Sequence, residues 1–569
     1  MRYARFAPVL LVLVAALLAI ALYVVPASAE TITVTRGDDP TPDGCGVDGC
    51  SLREAVAAAN AAPGDQVIDV GSLEIVLEST VTITGDLTIQ GAGPDDSNIR
   101  TSNGSQLFNI QANAHATFNG VWLNGSSTAG PGGCGGALYN AGDLTLEHTK
   151  VAKNFITGKG AGLCNLGTAS LNDVLMSANG ATGGPGGALW NAGIITITHS
   201  SFTQNTLDGD AGGAIANNEN GNMTITYSTI SSNTLSLDCG GCSSGGGIST
   251  DGLLTLQYST VSNNTSDNGG GLVNRGDATI ERTTFSGNMA GAINNVDGTM
   301  LVVRSTISDN VGAAYPKSGV GGISNYDTLS LVNVTIADNT NMQFQYGGLF
   351  TNTTAATDYK ASIFAYNGPK NCSTSGSQVS HGNNIYAPAA AACATVGTDQ
   401  AVDDAGIAAL GDNGGPTLTN LPQAGSPAID HGGAGCVAPD QRGALIADTH
   451  CDAGAVELSG TPPTPTPTAS PTTAPIAFPM GDNSCSDDIG SEDLTGELKL
   501  VVEIQAPDTC GRETIPCFPF NGACYPVWDD PNCDARITPL DVLPIAAKLA
   551  GVPMTFSDCP VVGDPILHP

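Results

Sequence analysis

An acidic loop near the C-terminal end of the chain carries the residues best suited to binding a metal ion. Asp530, Asn532 and Asp534 are each separated by one residue, and Asp541 is the twelfth residue counted from Asp530. Oxygen ligands at loop positions one, three, five and twelve, with the backbone carbonyl of Arg536 at position seven, form a pattern that binds Ca2+. We therefore predict a calcium site in this loop.

An earlier stretch carries a weaker copy of the same loop. Its corresponding positions are Asp482, Ser484, Ser486, Asp488 and Asp493. Serines at two ligand positions, and Asp in place of Glu at position twelve, depart from the usual ligand set. The second loop therefore fits calcium better than the first. The alternative for both is a pair of disulfide-held helices whose loops bind no metal.

A column of polar and aromatic residues recurs in the central part of the chain, two positions after the second apolar residue of each predicted strand. We name this column the bend stripe; its members are His148, His199, Tyr227, Tyr258, Arg282, Arg304 and Asn333. If this position faces solvent, the first six are candidate binding residues, which would contact glycans or another protein through aromatic faces and guanidinium groups. If it faces inward, they are ordinary ladder residues at a bend.

Residues suited to catalysis are sparse. Polysaccharide lyases and glycoside hydrolases need carboxylates around calcium with a basic residue, or paired carboxylates that flank the scissile bond. Acidic residues are few inside the repeats, Asp208 and Asp210 lie in a predicted loop without a partner base, and His381 lies beyond the repeats. The sequence therefore assigns no catalytic residue.

A sequence repeat determines where the residues of the bend stripe occur. Copies begin at Gly135, Gly186, Gly212, Gly246, Gly270, Gly321 and Gly347. In the first copy Leu144 and Leu146 alternate with polar residues, Val151 follows five positions later, and Asn154 three further on. One strand-forming core per copy predicts an all-β fold, a right-handed single-stranded parallel β-helix of about nine to twelve coils, rather than a propeller with four strands per repeat. Stacked asparagines are expected to form a hydrogen-bonded ladder.

The N-terminal part of the mature chain carries a recognisable cap. After a predicted strand at 31–35, Ser51 and Glu54 form a capping box for a helix whose apolar face includes Leu52 and Ala55. The run Cys50-Ser-Leu-Arg-Glu-Ala resembles the CSLREA domain that opens many secreted bacterial β-helix proteins. The resemblance implies that residues 30–62 plug the N-terminal end of a pectate-lyase-like solenoid at 63–400, because an open coil exposes unpaired edges.

Residues 401–458 resemble the choice-of-anchor-type segment that closes the same β-helix family, through the runs at 411–418, 425–430, 440–443 and 451–457. We favour a buried structural ion pair between Asp440 and Arg442 over a functional site. Cys372 is expected to pair with Cys393, and Cys436 with Cys451.

A linker rich in proline and threonine, residues 459–479, separates this segment from a C-terminal module at 480–569. Each acidic loop of the module leads into a predicted helix, at 494–504 and 542–550. The two loop-helix units resemble a degenerate dockerin, which implies a small α-helical domain that binds Ca2+ and docks to a cohesin-like partner. Six cysteines in the module depart from ordinary dockerins.

The N-terminus and the composition predict export. A basic start, an apolar run at 9–25 and Ala27-Ser28-Ala29 indicate a signal peptide at 1–29, with an uncleaved anchor as the alternative. No second hydrophobic span follows, so no membrane span is expected in the mature chain. The 16 cysteines suggest disulfides, and the net charge of −34 argues against nucleic acid or an anionic membrane as partner.

The sequence thus predicts a secreted or cell-surface bacterial β-helix protein with a recognition or adhesion surface for a glycan or cell-surface ligand. A calcium-binding dockerin-like module would assemble it with a partner. One alternative is a polysaccharide lyase or glycoside hydrolase that its dockerin delivers to a complex. Another is a structural surface stalk.

Overall fold

The computed structural model describes residues 31–458, except 43, 47, 210, 237–244, 268, 313–319, 342–345, 374, 390–392, 434–438 and 446–449. It also describes the backbone of two antiparallel strands, Cys517–Phe520 and Ala523–Pro526. The chain divides into two compact units, Met1–Pro465 and Thr466–Pro569. The predicted signal peptide and both predicted calcium loops lie outside the described residues.

The first unit is a solenoid of parallel strands, and its largest sheet contains 26 of them. Most coils contribute two strands to this sheet, separated by a bend. The first strands are Thr31–Thr33, Gln66–Gly71, Asp86–Gly91, His115–Asn119, Asp143–Ala152, Thr168–Ser177, Ile194–Thr198, Asn222–Thr226, Leu253–Gln257, Asp277–Glu281, Thr299–Val303, Thr328–Val332, Ala356–Lys360 and Ser377–Ser380. The second strands are Glu74–Leu77, Asn98–Thr101, Trp122–Asn124, Ser201–Thr203, Thr229–Ser231, Thr260–Ser262, Thr284–Ser286, Thr306–Ser308, Thr335–Ala337, Ile363–Ala365, Ile385–Ala387 and Gln400–Ala401.

Two smaller sheets complete the coils. One has eleven strands, Val81–Ile83, Phe108–Ile110, Leu138–Asn140, Leu163–Asn165, Leu189–Asn191, Ile215–Asn217, Ile248–Thr250, Leu272–Asn274, Ile293–Asn295, Ile323–Asn325 and Leu349–Thr351. The other has four, Phe155–Thr157, Gly180–Thr182, Thr206–Asp208 and Thr234–Leu235. Eleven strands, one per coil, confirm the predicted parallel β-helix and fall within the expected number of coils.

Strand pairing is in register from coil to coil, so equivalent residues stack along the axis. Ile197, for example, pairs with Leu171 on one side and with Ile225 on the other. The alternating apolar residues point inward, as predicted, and a single buried cluster extends from Val34 to Tyr386. Burial of these side chains is the main driving force for winding the chain into coils.

The predicted asparagine ladder is present and fully buried. From Asn154 to Asn339, each side-chain amide donates to the carboxamide oxygen of the ladder asparagine in the next coil, as from Asn233 to Asn264 at 2.9 Å. Asn367 then donates to Asn371, which ends the ladder by donating to backbone carbonyls. The continuous ladder comprises Asn154, Asn179, Asn205, Asn233, Asn264, Asn288, Asn310, Asn339, Asn367 and Asn371. Because the asparagines satisfy one another, the turn carries buried polar groups without a large desolvation cost.

A second asparagine ladder, which we did not predict, ends the strands of the eleven-stranded sheet. Asn140 donates to Asn165, and Asn165 to Asn191, each at 2.7 Å. The glycine pairs before these strands provide the expected turn: Gly186 has φ 76°, and a Cβ there would lie 2.2 Å from the carbonyl oxygen of Leu189.

The N-terminal cap forms as expected around a helix, Leu52–Ala61. The Glu54 carboxylate accepts from the Ser51 backbone N–H at 2.8 Å, and the Ser51 hydroxyl accepts from the Glu54 N–H, which completes the capping box. Arg53 pairs with Asp39 at 2.6 Å. Arg53 and Glu54 therefore hold the cap together, and the buried face of the helix joins the solenoid core.

Three disulfides join pairs of described residues in the first unit, Cys45–Cys50, Cys134–Cys164 and the predicted Cys372–Cys393. Cys451 is also disulfide-bonded, but its predicted partner Cys436 is outside the described residues. Disulfides persist in oxidising compartments, which is consistent with an extracytoplasmic location. No helix within the described ranges is both long and apolar enough to span a bilayer.

Candidate functional site

The bend stripe lies where each first strand meets its second strand, and its residues adopt left-handed backbone conformations. The φ angles are 44° at His148, 48° at His199, and 49° at Tyr227, Tyr258 and Arg282. This conformation costs a non-glycine residue about 1–3 kcal/mol, so the surrounding structure must enforce it. The bend turns the chain within one residue and leaves the stripe side chain outside the core.

A hydroxyl residue directly after the stripe residue fixes most of the bends; it is serine after His199, Tyr227, Tyr258 and Arg304, and threonine after His148 and Arg282. The Ser228 hydroxyl donates to the Thr226 carbonyl at 2.8 Å and accepts from the Ser200 backbone N–H at 3.1 Å. The Ser200 hydroxyl repeats the pattern one coil earlier, with Thr198 and Val174. These buried hydroxyls therefore link consecutive bends and hold the stripe in register.

The centre of the stripe is a stack of planar side chains parallel to the solenoid axis. The ring centroids of His199 and Tyr227 are 5.3 Å apart with planes 9° from parallel, and those of Tyr227 and Tyr258 are 4.7 Å apart at 4°. The Arg282 guanidinium lies 5.0 Å from the Tyr258 centroid. Because neighbours cover the ring faces between them, these rings present mainly their edges and polar atoms to solvent. Tyr227 is 46% exposed, and its partial burial raises the pKa of its hydroxyl.

The N-terminal end of the stripe contains a residue that the sequence analysis missed. Asp173 occupies the bend position of the coil between His148 and His199, with φ 54°, and its carboxylate lies 3.5 Å from His148 Nε2. The signal was available, because Asp173 stands two residues after Leu171, the second buried residue of the first strand in that coil. His148 is therefore separated from the aromatic stack by an acidic coil.

The C-terminal end of the stripe is covered, so Arg282 and Arg304 do not meet the condition, exposure to solvent, under which they were candidate binding residues. Arg282 is 7% exposed and Arg304 3%. Arg282 Nη2 and Arg304 Nη1 both donate to the Pro439 carbonyl, at 3.1 and 2.6 Å, and Arg282 Nε donates to the Asp440 carbonyl at 3.0 Å. Burial, reinforced by the nearby Arg282 charge, lowers the pKa of Arg304. The two guanidinium groups thus hold the closing segment, residues 401–458, against the solenoid.

The predicted ion pair between Asp440 and Arg442 organises this closing segment. Arg442 Nη2 lies 2.9 Å from Asp440 Oδ2, and both side chains are buried. The Asp440 carboxylate also accepts backbone N–H groups from Arg442, Ala444 and Glu457. Full satisfaction of a buried carboxylate offsets its desolvation, so this pair is structural, as we favoured.

A row of hydroxyl side chains runs beside the stripe on the outer face of the second strands. This hydroxyl row comprises Ser201, Thr229, Thr260, Thr284, Thr306 and Thr335, paired in register on consecutive coils. The first three are partly or fully exposed, whereas the last three are buried beneath the closing segment. There, Thr284 donates to the Leu418 carbonyl at 2.6 Å, Thr306 donates to the Gln441 amide oxygen at 2.7 Å, and Thr335 accepts from the Ala455 N–H at 3.1 Å.

The predicted metal ligands cannot be placed on this surface. The two acidic loops, with Asp530 and Asp482 at their first positions, lie outside the described residues. Within the part of the chain that the structure describes, no three His, Cys, Asp or Glu side chains are grouped so that they could hold a metal ion.

Comparison with known proteins adds little to these observations. No family model matches the chain, and no curated protein does. Among solved structures, the periplasmic alginate epimerase AlgG matches over 63% of this chain and 84% of its own length, at 11% identity and a TM-score of 0.38. The pectate lyase Pel9A matches over 76% and 97%, at 14% identity and a TM-score of 0.32. Likeness at this level carries no inference about activity, and the β-helix rests on the strand pairings themselves.

Proposed function

We propose that this chain is an exported recognition protein that binds a glycan along the uncovered half of the bend stripe and hydroxyl row. The observation that supports this is the behaviour of the hydroxyl row. Where it is covered, each of its residues makes at least one hydrogen bond to the closing segment. Thr284 bonds the Leu418 carbonyl and the Gln441 amide, Thr306 bonds the Gln441 amide, and Thr335 bonds the Ala455 N–H. Where the row is uncovered, Ser201, Thr229 and Thr260 present their hydroxyl groups to solvent.

A glycan suits this surface because its hydroxyls both donate and accept hydrogen bonds, as the row does with the closing segment. The edges of Tyr227 and Tyr258 add phenol groups beside the row. Equivalent residues on neighbouring strands repeat at ~4.8 Å, so a polymer lying along the axis meets the same contacts at every coil. Each contact is weak, and binding strength comes from their number. A net charge of −34 favours a neutral over an anionic polymer.

The C-terminal module completes the proposal. We propose that its Asp530 loop, and less completely its Asp482 loop, binds Ca2+ and that the folded module docks to a cohesin-like protein. The cap at 30–62 serves, on the same proposal, as a CSLREA-type plug. The support for both is the sequence pattern of those segments.

The test is a glycan array with the full-length protein, read together with release of reducing or unsaturated ends. Thr229→Val with Thr260→Val removes two hydroxyls at nearly constant shape, and Tyr227→Asn with Tyr258→Asn keeps a residue type that the bend accepts, since Asn333 occupies it at φ 52°. We expect each double variant to weaken binding roughly tenfold.

Leu253→Ala is the matched control, because Leu253 is 47% exposed on a neighbouring first strand and lies outside the row. It is expected to bind as the wild-type chain does. Unchanged binding by both double variants would refute this site. Glycan cleavage would move the protein to the lyase or hydrolase class, and neither binding nor cleavage would favour a structural stalk.

A further inference from the structure

The outer face of the four-stranded sheet forms a shallow concave surface that encloses a volume of about 700 Å3. The sequence analysis did not identify it. Its lining combines hydroxyl residues and the Asp208 carboxylate with apolar side chains, and more of the exposed lining is apolar than polar. Two outward rows define it. One row is Phe155, Gly180, Thr206 and Thr234, and the other is Thr157, Thr182 and Asp208, each paired in register from coil to coil.

Phe155 is 55% exposed, yet its ring packs against Gly180. A Cβ on Gly180 would lie 2.7 Å from Phe155 Cδ1 and 3.1 Å from Cε1, so only glycine lets the ring lie there. Gly180 is the first residue of the strand Gly180–Thr182 and does not have a positive φ, so the backbone does not require glycine. The next two coils place Thr206 and Thr234 at this position. The glycine is therefore explained by the ring above it.

Polar groups stand beside the ring at hydrogen-bonding reach of one another. The Thr182 hydroxyl donates to the Thr157 hydroxyl at 3.2 Å, and Asp208 follows in the same row one coil further on. Asp208, which we expected in a loop, ends the strand Thr206–Asp208 and is exposed. No Lys, Arg or His is among the described residues that line this surface.

We infer that this surface, which we name the Phe155 platform, binds a neutral oligosaccharide. An aromatic face is electron-rich and attracts the C–H-bearing face of a sugar ring, while hydroxyls and a carboxylate bind the hydroxyls at the ring edge. The absence of lining cations, the Asp208 carboxylate and the net charge of −34 disfavour an anionic sugar. The strands already pair with one another, so a peptide has no free central edge to extend.

The inference rests on the proposed function only in requiring a glycan ligand, because the platform and the hydroxyl row share no residue. Three strand spacings of ~4.8 Å separate the outermost strands of the four, so the platform spans ~14 Å and suits a short oligosaccharide or part of a longer chain. The two surfaces can therefore be tested separately in one protein.

The experiment measures binding of full-length protein to neutral oligosaccharides, with polygalacturonate as the anionic comparison. Phe155→Ala removes the ring, and Gly180→Thr restores the residue type of the following coils while displacing the ring from its seat. We expect each to weaken neutral-glycan binding roughly tenfold or more, and Phe155→Trp to retain it. Ile194→Ala is the matched control, because Ile194 is also 55% exposed on a strand and should have no effect.

Unchanged binding in both Phe155→Ala and Gly180→Thr would overturn the inference, as would a preference for polygalacturonate. Self-association of the wild-type chain that Phe155→Ala abolishes would assign the platform to a second copy and overturn it as well. If the platform variants bind normally while the Thr229 and Thr260 variant does not, the proposed function stands alone. The reverse result would support the platform and refute the hydroxyl row.

Discussion

Replacing Arg282 with methionine should release the closing segment while leaving the solenoid wound. The guanidinium donates to the Asp440 carbonyl at 3.0 Å and to the Pro439 carbonyl at 3.1 Å, and it pairs with Glu281 at 2.6 Å. Methionine has a similar length and keeps the apolar contacts of the stem, but it has no donor. The change therefore removes the polar attachment of the segment, together with the hydrogen bond that Arg282 Nη1 donates to the Tyr258 hydroxyl at 2.7 Å.

The expected loss of free energy in the attachment of the segment follows from the hydrogen bonds that remain in Arg282→Met. The Pro439 carbonyl still accepts from Arg304 at 2.6 Å. Glu281 still forms an ion pair with Arg304, at 3.7 Å. The Asp440 carbonyl, which is buried, loses its bond from Arg282. The Asp440 carbonyl still accepts from the Gly443 backbone N–H at 3.0 Å, so the loss is one charge-assisted hydrogen bond, which costs about 1.5–3 kcal/mol. In a solenoid this loss appears locally, because each part contacts only its neighbours.

Hydrogen exchange measures the effect where it is expected. The backbone N–H of Gln441 donates to the Ala455 carbonyl at 2.9 Å, and the backbone N–H of Ala453 donates to the Ala428 carbonyl at 2.8 Å. Both hydrogen bonds lie within the closing segment. A loss of about 1.5–3 kcal/mol speeds exchange of these amides by about tenfold or more. Amides of the distant strand at 168–177 should not change. Arg275→Met is the matched control, because the Arg275 side chain is 31% exposed and pairs with Asp251.

Exchange at 440–457 that stays at the wild-type rate in Arg282→Met would refute this reasoning. It would mean that the apolar and hydroxyl contacts alone hold the segment. Equal acceleration in Arg275→Met would also count against it, because the effect would then reflect lost charge in general.

Three further predictions concern the ladder, an ion pair and the C-terminal module. Asn264→Ala should cost about 2–4 kcal/mol, because it breaks a buried ladder, and exchange in its coil should accelerate while exposed Asn222→Ala has little effect. His115 lies between two aspartates that raise its pKa, so the small stabilisation it gives is present below pH ~6.5 and is lost as pH rises through the raised value. His115→Gln should abolish that pH dependence of melting. Asp530→Ala with Asp534→Ala should abolish calcium-dependent stabilisation of the module without changing solenoid melting; an unaltered calcium response would reject the loop as the site.

The solenoid could be predicted from the sequence because its contacts are between equivalent positions of adjacent repeats. Leu144 and Leu146 are buried and Asn154 joins a ladder, as the repeat indicated. A single repeat thus contains the information for its own contacts, and the register follows from the repeat length. The capping box at Ser51 was equally local. These features depend on neighbours that the sequence itself specifies.

The position of the closing segment could not be predicted in this way. Arg282 donates a hydrogen bond to Asp440, 158 residues later, and no sequence pattern near either residue indicates the contact. The same repeat position is therefore exposed at Tyr227 and buried at Arg304. The repeat determines that a side chain points out of the core, but a distant segment determines whether it reaches solvent.

The stacking of the stripe also shows why a column of aromatic residues is a poor signal for a sugar-binding platform. Neighbouring coils are ~4.8 Å apart, close to the ring separations of 4.7 and 5.3 Å at Tyr227, so planar side chains at one position stack on each other. Each then hides the face that a sugar would contact. A ring keeps an open face when the next coil offers it a small residue to lie on, as Gly180 does for Phe155. In a parallel solenoid, the informative pattern is therefore an aromatic residue followed one coil later by a glycine that the backbone does not need.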